Sequence, residues 1–148
     1  MNSAKAEASS NLRLPMAAST ASAGLAWSLV EQRLICWGLS EPARYDARLV
    51  LSELVANAVA VTPVTECIIV YCHRDRIGVA IGVADPCSDV PCAPGPVVEL
   101  KLEDLDLSEE NFDVNGGWGL TLVTALSAEC GVTPLPSGGK VMWARLRA

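Results

Sequence analysis

The sequence is short of metal ligands, of basic clusters and of long apolar runs, and each shortage argues against a class of function. One histidine, His73, stands among 148 residues, and the six cysteines (Cys36, Cys67, Cys72, Cys87, Cys92 and Cys130) come no closer than C-x4-C. Structural zinc calls for paired short spacings joined to a second pair or to histidines, so a zinc centre is not expected. The formal charge is −6 and no stretch gathers Lys or Arg, so the electrostatic footprint that a phosphate backbone demands is missing and nucleic acid is not the expected partner. The start MNSAKAEASSNLRLP is polar, and the apolar stretch at 21–40 carries Glu31, Gln32 and Arg33. Neither a secretory leader nor a membrane span is expected, so the chain is expected to be cytoplasmic, with reduced thiols mostly packed as small hydrophobes.

What is present in quantity is apolar: 51% of residues are hydrophobic, and 19% are charged against about 25% in an average globular chain. Whole-chain disorder is therefore excluded, and the length suffices for one core that buries roughly two-thirds of the unfolded surface without disulfide or metal staples. The acidity is local. Between Asp85 and Asp113 lie nine acidic residues and one basic, Lys101, a balance of −8 that leaves the other 119 residues at +2.

Along the chain, residues 1–10 are Ser/Ala/Asn-rich and expected to be mobile, with residues 11–148 forming the domain. Residues 11–14 suit a short edge strand stopped by Pro15. Leu25, Leu29, Leu34 and Ile35 fall near helical spacing and predict a first helix over 20–37, ended by Gly38. Glu41 and Pro42 favour the start of a second helix, with Ser40 a weak cap; it runs to about Val61, where Thr62 and Pro63 stop it. The period then changes to two. Residues 67–72 and 77–84 read as strands joined by a turn at 73–76, the second placing Ile77, Val79, Ile81 and Val83 on one face and Gly78, Ala80, Gly82 and Ala84 on the other. That small face is either open to solvent or closely approached by another element. Residues 85–115 carry no strong period and fit a lid or insert, with one short helix within 100–112. Gly116-Gly117-Trp118-Gly119 then opens a helix over 120–127, and strands near 129–133 and 141–147 close the chain. Helices gather early, strands pair through short turns and no βαβ alternation occurs, so the class is α+β with a largely antiparallel sheet.

Three places carry candidate chemistry. On the second helix Glu53 and Asn57 lie one turn apart on a shared face of an otherwise apolar segment. They are either a solvated polar stripe or a site in which Asn57 offers a neutral oxygen to Mg²⁺ and Glu53 orients or deprotonates an attacking group. Asp85 is the first polar residue at the end of an apolar strand; it either begins an ordinary Asp-Pro turn or accepts a hydrogen bond from an exocyclic amine such as adenine's. The glycines before the third helix form either a plain turn or a backbone cradle for an anion at a helix start.

The order of these elements, E-x-x-x-N on a helix, Asp at a strand end, an irregular segment and a glycine-rich helix start, resembles the histidine-kinase-like ATPase superfamily (GHKL, the Bergerat fold). It is most similar to the small anti-sigma-factor serine kinases and the single-domain ATP-binding regulators of actinobacteria. The blocks are Trp37-Gly38-Leu39, LVLSELVANAV at 49–59, Val83-Ala84-Asp85, Gly117-Trp118-Gly119-Leu120 with Thr121-Leu122-Val123, and the closing Gly139-Lys140-Val141-Met142-Trp143-Ala144. The resemblance implies a two-layer sandwich, with helices on a mixed, mostly antiparallel sheet and Mg²⁺-ATP held between the second helix and a lid at 85–115. It implies Glu53 as the catalytic carboxylate, Asn57 as the Mg²⁺ ligand, Asp85 on the adenine amine, and Gly117, Gly119 and Leu120 in the turn that binds the phosphates. Kinase members pass the γ-phosphate to a serine of an antagonist protein and sequester a sigma factor, so a protein partner, a sigma factor or its antagonist, is expected; a homodimer is compatible with the sequence.

The sequence departs from that pattern at the phosphate end. No basic residue or histidine follows the Asn at 60–62, residues 85–91 lack the first glycine box, and Trp118 stands where arginine is frequent. Phosphoryl transfer depends on positioning and charge stabilisation and suffers more from these losses than base binding does. Two classes of function follow: an ATP-binding regulator of the anti-sigma kinase type, or a non-catalytic protein-binding switch of the same fold whose nucleotide binding is weak or lost.

Overall fold

The computed structural model describes residues 11–87, 99–101, 118–136 and 138–147. The expectations of a mobile segment at 1–10, and most of those for the lid and acidic segment, fall outside these residues. Within them the order is β1 (Leu12–Ala17), α1 (Ser22–Cys36), α2 (Glu41–Val61), β2 (Cys67–Arg74), β3 (Val79–Asp85), β4 (Glu99–Lys101), α3 (Trp118–Leu126), β5 (Ser127–Pro134) and β6 (Lys140–Leu146). The strands form one sheet in the order β1-β2-β3-β6-β5-β4. Every pairing among them is antiparallel. The class is α+β, as the early helices and locally paired strands imply.

The helices cover one face of the sheet. Strict alternation sends Ile68, Val70 and Cys72 of β2, Ile81 and Val83 of β3, and Met142, Ala144 and Leu146 of β6 toward Val30, Leu34, Val50, Leu51, Leu54 and Val55. Each large aliphatic side chain so buried contributes about 1.5–3 kcal/mol. Helix α2 runs through the middle of this layer, packed against α1, α3 and β3. It starts where Ser40 Oγ accepts the Ala43 amide at 3.3 Å with Pro42 in the first turn, so Ser40 does cap the helix.

Several expectations are corrected by packing. Strand β1 passes through Pro15 instead of stopping there, because β1 is an edge strand, where a proline need not interrupt the ladder. In α1 the buried face is Ala26, Trp27, Val30 and Leu34, whereas Leu25, Leu29 and Ile35 are exposed. The apolar residues of α1 encircle it, and spacing alone cannot select the face that meets the sheet. Ile77 is exposed in the turn rather than on the strand, and Asp75 Oδ1 accepts the amides of Ile77 and Gly78 to form that turn. Leu100 and Lys101 lie in β4, paired with Cys130 and Glu129, at the start of the 100–112 stretch expected to hold one short helix, the rest of which lies outside the described residues. The small face of β3 is approached by its neighbours: a Cβ on Gly82 would stand 3.1 Å from Val141 Cγ1. Ala80 and Gly82 thereby floor a groove of about 470 Å³ walled by Tyr71, His73, Trp143 and Arg145, on the face away from the helices.

Candidate functional site

Asp85 ends β3 on its helix-facing side, and the register places it directly opposite Lys140, the first residue of β6. Facing residues of an antiparallel pair project to the same side, so the two side chains meet: Lys140 Nζ lies 3.0 Å from Asp85 Oδ1, and each side chain is 1% exposed. The same ammonium donates to the Cys87 carbonyl at 3.3 Å, and the Cys87 amide donates to Asp85 Oδ1 at 2.9 Å. Gly139 makes the approach of the two strands feasible. Its φ is +84°, and a Cβ there would fall 2.3 Å from the Asp85 carbonyl oxygen. Asp85 Oδ2, by contrast, is buried without a hydrogen-bond partner. A buried carboxylate oxygen left over in this way costs stability and calls for a ligand or ordered water.

Glu53 and Asn57 share the half-buried flank of α2, which Ala58 and Leu54 otherwise anchor in the core. Asn57 Nδ2 is also buried and unpartnered. Six buried side-chain polar atoms among the described residues lack a partner, and two belong to the residues picked from sequence as ligand-binding. The Asn57 amide nitrogen is a spare donor and Asp85 Oδ2 a spare acceptor, both open to a polar ligand or ordered water.

Helix α3, which begins at Trp118 and packs on α2, places Gly119 and Leu120 in its first turn beside the helix carrying Glu53 and Asn57. Gly117 and Gly116 lie outside the described residues. Among the described residues no group of three or more His, Cys, Asp or Glu could hold a metal. A Mg²⁺ bound through Asn57 would take its remaining ligands from water and nucleotide phosphates, the usual arrangement for that ion in phosphoryl-transfer sites. No helix of the described residues is long and apolar enough to cross a membrane.

Two of the thiols are packed into the core. Burial pushes Cys72 up to about 12, opposed by the Arg33 charge, and burial also raises Cys130, opposed by the Thr124 hydroxyl. Both are packing residues in the sense expected from the sequence. Lys140 was not picked out as a site residue, although a signal existed: it alternates with Met142, Ala144 and Leu146, so a charged residue opens the apolar face of a strand.

The family model of the histidine kinase-like ATPase domain matches residues 16–146, nearly the whole chain. The chain belongs to that family, and its α+β fold with helices on one face of an antiparallel sheet agrees. Membership supports ATP binding and a regulatory role; the orphan oxygen of Asp85 can accept from an amine of such a ligand and the orphan Nδ2 of Asn57 can donate to one of its oxygens. No curated protein sequence matches the chain.

Proposed function

We propose that the protein is an ATP-binding regulator of the anti-sigma-factor kinase type. ATP lies along α2 with its base at Asp85 and its phosphates toward Asn57 and the first turn of α3, at Gly119 and Leu120. Asn57 holds Mg²⁺, which when bound neutralises phosphate charge. Glu53, one turn away, orients and deprotonates the serine hydroxyl of an antagonist protein that receives the γ-phosphate. A sigma factor, its antagonist or both are the partners, and Leu25, Leu29 and Ile35, exposed on α1, supply apolar surface for such contacts. The observation that carries the reading is the buried, unpartnered Oδ2 of Asp85 at the end of β3, where an exocyclic amine finds an acceptor.

Calorimetry and thermal unfolding with Mg²⁺-ATP test it. A ligand at a hundred times its Kd stabilises by about 2.7 kcal/mol, an upward shift of several degrees. Asn57→Ala and Asp85→Ala should each remove that shift. No heat and no shift at millimolar nucleotide, or unchanged binding by both variants, would refute the site. Transfer of labelled γ-phosphate to a serine of the antagonist, abolished by Glu53→Ala, tests the kinase step.

A second reading, a protein-binding switch with little nucleotide affinity, is favoured by one feature: the last turn of α2, nearest the expected phosphates, carries no basic residue. Partner binding that is indifferent to ATP would select it.

A further inference from the structure

The Asp85–Lys140 pair leaves two hydrogen-bonding valences unused. Asp85 Oδ1 takes the ammonium and the Cys87 amide, leaving Oδ2 free. Lys140 Nζ has three protons and gives two, to Asp85 Oδ1 and the Cys87 carbonyl. One acceptor and one donor therefore stand side by side in a place where neither side chain exceeds 1% exposure. Burying two ions costs several kcal/mol each, and replacing such pairs by apolar residues is often neutral or stabilising, so stability alone gives no reason for a lysine here. Met142, Ala144 and Leu146 fill the same face of β6 with apolar side chains at the next three inward positions.

We propose that Lys140 reads the nucleotide base together with Asp85. Oδ2 accepts from the exocyclic amine, and the remaining Nζ–H donates to the ring nitrogen next to it, so the pair spans the Watson–Crick edge of a 6-aminopurine. The proposal rests on the ATP reading and adds a specificity-determining residue to it. The donor is a cation fixed by two protein acceptors, so the new bond is charge-assisted and preorganised. A base lacking the ring acceptor would leave a buried N–H unpaired, and sites built this way reject such analogues strongly.

The test compares Mg²⁺-ATP with its 1-deaza analogue, in which a C–H replaces the ring nitrogen, by calorimetry on the full chain. The native protein should bind ATP roughly ten- to hundredfold more tightly, the range for one hydrogen bond to a charged group. Lys140→Met, similar in length but without a donor, should bind the two nucleotides alike. Equal affinities in the native protein, or a preference that survives in Lys140→Met, overturns the assignment while leaving ATP binding standing. Absence of any nucleotide heat overturns the ATP reading and this one with it. Should Lys140→Met fail to fold, the ¹⁵N resonance of the Lys140 ammonium in the native protein replaces it. That signal should shift on adding ATP and much less with the analogue; equal responses overturn the assignment.

Discussion

Breaking the Asp85–Lys140 pair from either side should be costly, and removing both charges should not. At 3.0 Å the attraction between the two charges is about 5 kcal/mol with an effective dielectric constant near 20. Against this stands the loss of hydration of two groups that are each 1% exposed, several kcal/mol per ion. The net worth of the intact pair is thus small, while Lys140→Met or Asp85→Asn removes the attraction and leaves one group desolvated without its partner. Lys140→Met leaves an uncompensated carboxylate and should cost about 3–5 kcal/mol, a large part of a typical domain's stability. Asp85→Asn leaves an uncompensated ammonium and should cost a similar amount. In the double variant no ion is buried, and the chain should return to within about 2 kcal/mol of the native protein. Urea unfolding of the four proteins, read by tryptophan fluorescence with a common slope, gives the cycle. Additive single effects, or a cost under about 1 kcal/mol for Lys140→Met, would show that the two charges are not buried against each other.

Other outcomes follow from the same geometry. Gly38 and Gly139 both have positive φ, at +80° and +84°, but only Gly139 would drive a Cβ into backbone, so Gly38→Ala should cost about 1 kcal/mol and Gly139→Ala about 3 kcal/mol or more; equal costs by urea unfolding would contradict the close approach. Alkylation of the folded protein at pH 8 should label the exposed Cys36 and Cys67 and spare the buried Cys72 and Cys130, and labelling of Cys72 at the same rate, by peptide mapping, would contradict its raised pKa. Asp75 is held down at about 2 from 3.8, first by the hydrogen bond from Arg145. Its folded-state value is depressed, so its contribution is complete above pH 3.8 and is lost as pH falls through 2; acid titration of Asp75→Asn should show a shallower loss of stability between pH 4 and 2, and an unchanged profile would refute the link.

The elements were legible wherever a period was clean. Strand β3 alternates, α2 has a proline-marked start and a Thr-Pro stop, and both stand close to where the sequence puts them. The face of α1 was not legible, because Leu25, Leu29 and Ile35 are as apolar as the residues that pack, and the choice is made by the sheet beneath. Strand β4 was not legible either: three residues are too few for a period, and pairing with β5 decides it. Of the site, Asn57 and Asp85 were visible as polar residues out of place in apolar elements, and both prove to hold buried atoms without partners. Lys140 was passed over because its partner lies 55 positions away and only the register of β3 with β6 brings them together.

That register also moves the electrostatic question to a different part of the site. From sequence, the concern was a shortage of positive charge near the phosphates, with −8 on the segment where a lid belongs. The fold supplies a cation, but at the end of β3, with its charge already matched by Asp85 and its side chain only 1% exposed. A neutralised pair of this kind does nothing for a triphosphate, whose charge must be balanced by Mg²⁺ or by groups brought by a partner. The proposed base end and phosphate end are therefore separable. The proposed base end has polar groups fixed by hydrogen bonds where β3 meets β6, whereas the last turn of α2 offers no cation at all. A partner protein that places an arginine or lysine near Asn57 would complete the phosphate end. ATP affinity should then rise in the presence of the partner, and by reciprocity partner affinity should rise by the same factor with ATP. Calorimetric titrations run in both orders measure the two factors; unequal values, or a factor of one in each, would rule this coupling out.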